Sequence, residues 1–233
     1  MRQDETLDFA LKAGKQRLYP RMTNPNWLIL RRRREIFRGW LQRLQLQNPK
    51  VLDVGGRIQT YRELVALPHQ YWSIDLSPTA LVSAVANAER LPFADNSFDL
   101  VFCTQMIEYA LDPAIVVQEI NRVLRPNGVL ILSAPSIFPR DSEHDRWRFW
   151  PAALKDLLSD FSDAEIVPEC GSAAGFLRTM AVFCHMAARY RALRFILSYS
   201  LVPLINGLGA AFEEVMGVRD GSFTANYSAL ARK

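Results

Sequence analysis

The chain has 233 residues, 49% of them hydrophobic, and a formal net charge of +4. That is enough for one sizeable core and one domain with attachments. Its three cysteines (Cys103, Cys170, Cys184) and three histidines are scattered, with no CxxC pair. Neither a metal site nor a disulfide framework is expected. The opening "MRQDETLDFALKAGK" carries acids and no apolar run, so no secretory signal is read there and a reducing, cytoplasmic setting is the default.

The charge is uneven. Residues 1–50 hold 12 Lys/Arg against 4 Asp/Glu, and the rest holds 16 against 20. The basic part suits phosphate, from nucleic acid or lipid headgroups, or is simply a solvated helix face.

In chain order, residues 1–26 are polar, with turn signals at Tyr19-Pro20 and Asn24-Pro25. From Trp27 to Leu46 the apolar residues follow helical spacing. Arg31 to Arg34 lie within that helix. Four consecutive positions point in all directions, so some of these arginines border the packed side. Asn48-Pro49 ends the helix. "KVLDVG" then reads as a buried strand, "TYRELVAL" as a helix, "YWSIDLS" as a strand, and "SPTALVSAVA" mostly as loop. "FDLVFCTQ" is a strand, "DPAIVVQEINRVL" a helix, and "GVLILSAP" a strand after the turn "RPNG". "WPAALKDLLSDF" is a helix with Pro151 in its first turn, and "AEIVPEC" a strand. The final residues from Phe223 form one more strand. Strands alternating with helices predict a doubly wound α/β fold with a mostly parallel sheet.

Ligands bind such sheets at the carboxyl ends of the strands. The first strand ends at Asp53-Val54-Gly55-Gly56, where glycine allows a sharp turn and close backbone approach. The next ends at Asp75, an acid placed to accept from both ribose hydroxyls. There is neither a G-x-G-x-x-G nor a P-loop, and Asp53 beside the turn would repel a diphosphate. It suits instead an adenosine cofactor with a positive centre, as in S-adenosylmethionine.

Four pieces in order, "VLDVGG", "SIDLS", "NAERLPFADNSFDLVFCTQMIEY" and "RVLRPNGVLILSAP", resemble class I S-adenosylmethionine-dependent methyltransferases over roughly residues 48–170. "LPFADNSFDLV" resembles the quinone-biosynthesis branch. The resemblance implies a seven-stranded Rossmann-like sheet and divides the chain into a basic N-terminal helical arm (1–47), a cofactor-binding core (48–170 and 223–233) and a helical insertion (171–222). It also implies roles. Asp53, Gly55 and Gly56 hold the methionine part, Asp75 the ribose, and Leu76 with Asn87-Ala88 the adenine. Cys103 and Gln105, ending the fourth strand, line the pocket. Asp75 as a turn cap and Cys103 as a plain buried residue are the structural alternatives. Arg57 stands near where the family carries another glycine, and could crowd a cationic cofactor.

For the acceptor side, Glu108-Tyr109 takes the place where this branch often has Glu-His. "PRDSEHDRWRFWP" (139–151) follows the fifth strand and should overhang the pocket. It resembles the HD-x-W-R-F element of a subset encoded with cell-surface polysaccharide genes. His144 is its candidate base, Asp145 the group orienting it, and Arg148 and Trp147 the substrate contacts; Asp141 lies in the same loop. An ion-paired loop fixing the next helix is the alternative. No Asn/Asp-Pro-Pro-Tyr element is present at the fourth strand, so nucleic acid is not the expected partner. The expected activity is methyl transfer to a small-molecule, glycan or lipid-linked acceptor at oxygen; a catalytically inert cofactor- or partner-binding domain is the other reading.

The run from Phe195 to Phe212 is 18 residues without charge. A membrane span is rejected, because Pro203, Asn206, Gly207 and Gly209 dilute it and the last strand would fall on the wrong side. The insertion reads first as an active-site lid, then as a peripheral contact with the inner membrane face, then as a homo-oligomer contact. Arg178, Arg189, Arg191 and Arg194 border its apolar surface.

Overall fold

A computed structural model describes residues 3–140, 142–188, 190–217 and 221–233; Asp141 and Arg189 lie outside the described residues. The elements are α1 (Gln3–Leu18), α2 (Trp27–Leu44), β1 (Lys50–Val54), β2 (Gln70–Asp75), β3 (Ala84–Val85), β4 (Phe98–Thr104), α3 (Pro113–Val123), β5 (Leu124–Pro135), α4 (Pro151–Leu157), β6 (Asp163–Pro168), α5 (Ser172–Ala187), α6 (Arg191–Tyr199), α7 (Leu201–Met216) and β7 (Asn226–Arg232). One seven-stranded sheet forms, in the order β3-β2-β1-β4-β5-β7-β6. β7 runs antiparallel between β5 and β6, and the pairs β1–β2, β1–β4, β2–β3 and β4–β5 are parallel. This is the doubly wound, mostly parallel sheet that the sequence predicts.

Both faces of the sheet are buried, and the period-2 alternation of the strands divides the core. Leu52, Val54, Val101, Cys103, Leu130 and Leu132 face α3 and α4. Val51, Leu100, Phe102, Val129 and Ile131 face α2, where Phe37 and Trp40 meet them. Helix starts follow local chemistry. Asp112 accepts from the Ala114 N–H at 2.9 Å ahead of Pro113, and Pro151 opens α4.

The helix expected over "TYRELVAL" shrinks to a single 3₁₀ turn, Arg62–Leu64. The reason lies in α2. Its Phe37 already fills that sheet face, 4.7 Å from the Tyr61 ring, so Tyr61 and Val65 dock there without a helix. The loop expected over "SPTALVSAVA" contains the short strand β3.

The basic helix α2 is a layer of the core. Arg33 is 3% exposed, and Arg31 pairs with Glu213 of α7 at 3.0 Å. The segment Arg191–Met216 is long and apolar enough to cross a membrane by length and composition alone. The chain breaks its helix at Ser200, and α7 is docked on the N-terminal part. Asn206 donates to the Met22 and Asn24 carbonyls at 2.7 and 2.9 Å.

Candidate functional site

The site grows from the end of β1. Gly55 has φ +78°, a conformation glycine tolerates, and a Cβ there would lie 2.6 Å from Met106 Cγ. A Cβ on Gly56 would lie 2.5 Å from the Asp53 carboxyl carbon. Both glycine N–H groups donate to the Ile74 carbonyl, at 2.8 and 3.0 Å, tying the turn to β2. The backbone therefore folds down onto the Asp53 carboxylate. That group is 4% exposed and accepts from the Tyr71 hydroxyl at 2.9 Å. Burial pushes its pKa up to about 7; Asp75 adds to the rise and the Tyr71 hydrogen bond opposes it.

Asp75 stands half-exposed at the end of β2. One oxygen accepts from the Ser77 N–H at 2.7 Å, so it caps the turn and keeps a second oxygen. Leu76 is 71% exposed. Ala88 is half-buried against the core. Asn87 is exposed, and its amide oxygen accepts from the Glu89 N–H at 3.0 Å. Arg57 is exposed, and its carbonyl accepts from the Thr79 hydroxyl at 2.8 Å. Gln59 takes φ +46° and ties the loop to β2 through the Ser73 hydroxyl and the Leu81 carbonyl.

At the end of β4 the structure places the two expected pocket residues as follows. Cys103 is wholly buried in the α3–α4 core, the buried-residue alternative, and burial pushes its thiol far up, with Glu108 and Asp53 adding to the rise. Odd and even positions of β4 alternate between faces, and Cys103 falls on the inner one. The Gln105 side chain donates to the Ser133 hydroxyl at 3.1 Å and faces Asn226 of β7 at 3.5 Å. It reaches away from β1. The side chain against the glycine turn is instead Met106.

Past β4, a single 3₁₀ turn, Ile107–Tyr109, carries the acceptor-side candidates. Glu108 is 4% exposed and its Oε2 has no partner among the described residues. Burial pushes its pKa up to about 7; Asp145 raises it further, while Arg33 and Arg148 pull it down. Tyr109 sits half-exposed in the same turn.

The loop after β5 docks here, since the Arg146 and Trp147 N–H groups donate to the Glu108 carbonyl at 2.9 and 3.2 Å. Its expected catalytic pair does not form. The His144 side chain is 74% exposed and 3.7 Å from Glu143. Asp145 holds Arg148 instead, in a two-pronged pair at 2.5 and 2.8 Å. Arg148 also donates to the Phe138 and Pro139 carbonyls at 3.1 and 3.3 Å. Its fork is spent on shaping the loop, which is the ion-paired alternative, and leaves no grip for a substrate anion. Trp147 donates from its indole to the Ala110 carbonyl at 2.9 Å and keeps its ring 41% exposed.

The sequence reading missed a buried carboxylate at the carboxyl end of β6. Glu169 takes both prongs of Arg33 at 2.7 Å, the Ser133 and Ser228 hydroxyls at 2.5 and 2.7 Å, and the Asn226 amide at 3.1 Å. Tyr71 was missed too; its strand parity, two residues before Ser73 opposite Asp53, was the available signal.

Comparison with known proteins follows this geometry. Residues 52–132 match the family described as "Methyltransferase domain". The chain is 32% identical over 82 residues to "Probable methyltransferase PMT20" of Arabidopsis thaliana, covering 35% of this chain and 13% of that protein. It is 28% identical over 154 residues to "Malonyl-[acyl-carrier protein] O-methyltransferase" of Legionella pneumophila, covering 59% and 53%. The matched segment thus spans from an eighth to about half of these relatives' length. Among solved structures, a putative sarcosine dimethylglycine methyltransferase from Galdieria sulphuraria aligns with TM-score 0.54 at 16% identity, covering 88% of each chain. The [4+2]-cyclase SpnF aligns with TM-score 0.52 at 18% identity, covering 86% of this chain and 80% of that one. From β1 into β5 this chain is similar in sequence to methyltransferase domains, and its seven-stranded sheet is the Rossmann-like fold of the methyltransferase structures it aligns with.

Proposed function

We propose that this protein transfers a methyl group from S-adenosylmethionine to an oxygen of a small-molecule, glycan or lipid-linked acceptor. One observation carries the reading: Asp53 and Asp75 close adjacent strands around the glycine turn, and neither is ion-paired among the described residues. A buried carboxylate without a cation is destabilising until one arrives. A ligand with an ammonium and a sulfonium supplies that charge, so the residues fit the cofactor. Asp53 and the Gly55–Gly56 backbone would hold its methionine part, and Asp75 its ribose. Leu76 and Ala88 would flank adenine. Asn87 keeps a second lone pair for the amino group. Bound there, the cofactor supplies an electrophilic methyl.

The chain's own task is orientation, water exclusion and proton removal. Glu108, with an oxygen to spare and a pKa near neutrality, is the base that receives the acceptor hydroxyl's proton. Calorimetry with S-adenosylmethionine tests the reading, and no binding at millimolar cofactor rules it out. Asp75→Ala should weaken binding about 30-fold or more, the loss of charge-assisted hydrogen bonds worth roughly 2 kcal/mol. Because the fold also hosts a cyclase, binding without turnover on any hydroxyl acceptor would favour a non-methylating domain.

The location reading rests on α6. None of its residues is buried, and Phe195, Ile196 and Tyr199 are 64%, 58% and 61% exposed beside Arg191 and Arg194. Phe183 and Met186 of α5 are exposed as well, at 69% and 59%. We infer that this face lies on an anionic bilayer, with the arginines at headgroup level. Vesicles of phosphatidylglycerol should pull down the full chain, and Phe195→Ser with Ile196→Ser should release it. Equal partitioning of the two, or self-association in solution without vesicle binding, overturns this.

A further inference from the structure

A cavity of about 860 Å³ opens between α1, the α1–α2 connection, the loop after β5 and α5. Its walls include Lys12 of α1, Arg21 and Asn26 of the α1–α2 connection, Phe138 and Arg140 after β5, and Met186 of α5. Two of the elements that wall it also touch the site. α1 lies directly on the glycine loop, where a Cβ on Gly14 would fall 2.3 Å from the Ile58 carbonyl oxygen. The Phe138–Pro139 carbonyls hold Arg148, in the loop docked on Glu108.

Behind this wall sits Arg178, which is 0% exposed. Its guanidinium carbon is 4.0 Å from the centroid of the Phe138 ring. Its Nε and Nη2 both donate to Asn26 Oδ1, at 3.0 and 2.5 Å. Its Nη1 has no partner, and no carboxylate pairs with it among the described residues. Arg33 is buried just as deeply but is neutralised by Glu169. Burial pushes the Arg178 pKa down to about 10; Cys170 and the Glu169 carboxylate oppose the fall and Arg33 adds to it. Because Asn26 spends its oxygen on the guanidinium, it has its amide hydrogens to offer to anything in the cavity. The described lining adds Lys12, Arg21 and Arg140 and no acidic side chain.

We propose that this cavity is the acceptor site and that the acceptor carries a carboxylate or phosphate, bound by the Asn26 amide in the field of Arg178, Lys12, Arg21 and Arg140. Phe138, Val182 and Met186 give the same cavity an apolar side for an alkyl or ring body. The word acceptor rests on the methyltransferase reading; anion binding does not. Arg178 acts through Asn26 and is a positioning residue.

The test titrates the full chain with decanoate, decyl phosphate and neutral decanol, and in parallel with S-adenosylhomocysteine. The wild type should prefer the anions over decanol by about tenfold or more, and the tighter of the two names the acceptor group. Arg178→Met should abolish that preference, Arg178→Lys should restore part of it, and S-adenosylhomocysteine affinity should stay within about twofold. If Arg178→Met fails to fold, the exposed triple variant Lys12→Ser, Arg21→Ser, Arg140→Ser decides, and it should lose most of the preference. Anions bound no better than decanol by the wild type, or an undiminished preference in both the Met and the triple variants, overturns the proposal. Anion preference without S-adenosylhomocysteine binding sinks the methyltransferase reading and leaves the anion site standing.

Discussion

The two halves of the sheet's carboxyl edge carry opposite unbalanced charge. Around β1, β2 and the turn after β4, the carboxyl groups of Asp53, Asp75 and Glu108 are in no ion pair among the described residues. Across β5 and α5 the unbalanced group is a guanidinium, Arg178. The showier charged clusters are closed on themselves: Arg33 with Glu169, Arg148 with Asp145, Arg122 with Asp95 and Glu119. Charge left over in a buried setting points to a ligand better than charge density does, because a satisfied ion pair has little left to offer one.

The sharpest way to break this contrast is to compare the two buried arginines. Arg33→Met strands the Glu169 carboxylate and should cost about 3–5 kcal/mol in urea unfolding. Arg178→Met strands no charge and should cost about 1 kcal/mol or less, or stabilise. Similar losses in both would mean that Arg178 has an anionic partner and the contrast is false.

Next is pH. Asp53 and Glu108 titrate near 7 when folded, above the usual carboxylate range. The native state therefore binds more protons than the unfolded one between about pH 4 and 7. Stability should be fullest below that window and fall as pH rises through it, by on the order of 3 kcal/mol per group. Asp53→Asn with Glu108→Gln should flatten the curve, whereas an unchanged slope in that variant would place the titrating groups elsewhere.

A smaller effect separates base from scaffold. Glu108→Gln should lower kcat about 10- to 100-fold and remove a rise of kcat with pH through about 7, since the ionised form accepts the proton. The smallest expected change is His144→Ala, within about twofold in kcat/KM, because that ring faces solvent. A hundredfold loss there would restore the loop histidine to the chemistry.

Much of the fold was legible because strand alternation and helix starts are local. The runs of β1, β4 and β5 are apolar on both faces, and Pro113 and Pro151 mark helix starts. The helix after β1 was misread because its place is taken by α2, from earlier in the chain. The cofactor acids were legible as the last residues of adjacent strands. Both readings of Cys103 stayed open in the sequence because position along β4 does not give its face; the structure puts it in the core. His144 and Asp145 sit side by side in sequence, yet the loop turns one to water and the other onto Arg148. Glu169 stayed hidden, and Arg178, expected to border the apolar surface of the insertion, is instead fully buried, because their settings depend on partners 136 and 152 positions away.

The Glu169 hub has a mechanical consequence. One carboxylate joins α2, near the start of the chain, to β5 and to β7, near its end. Neither terminal element can peel away without exposing the same buried charge. Amide hydrogens of α2 and β7 should then exchange through one shared opening, so that the two ends of the chain behave as a single cooperative unit.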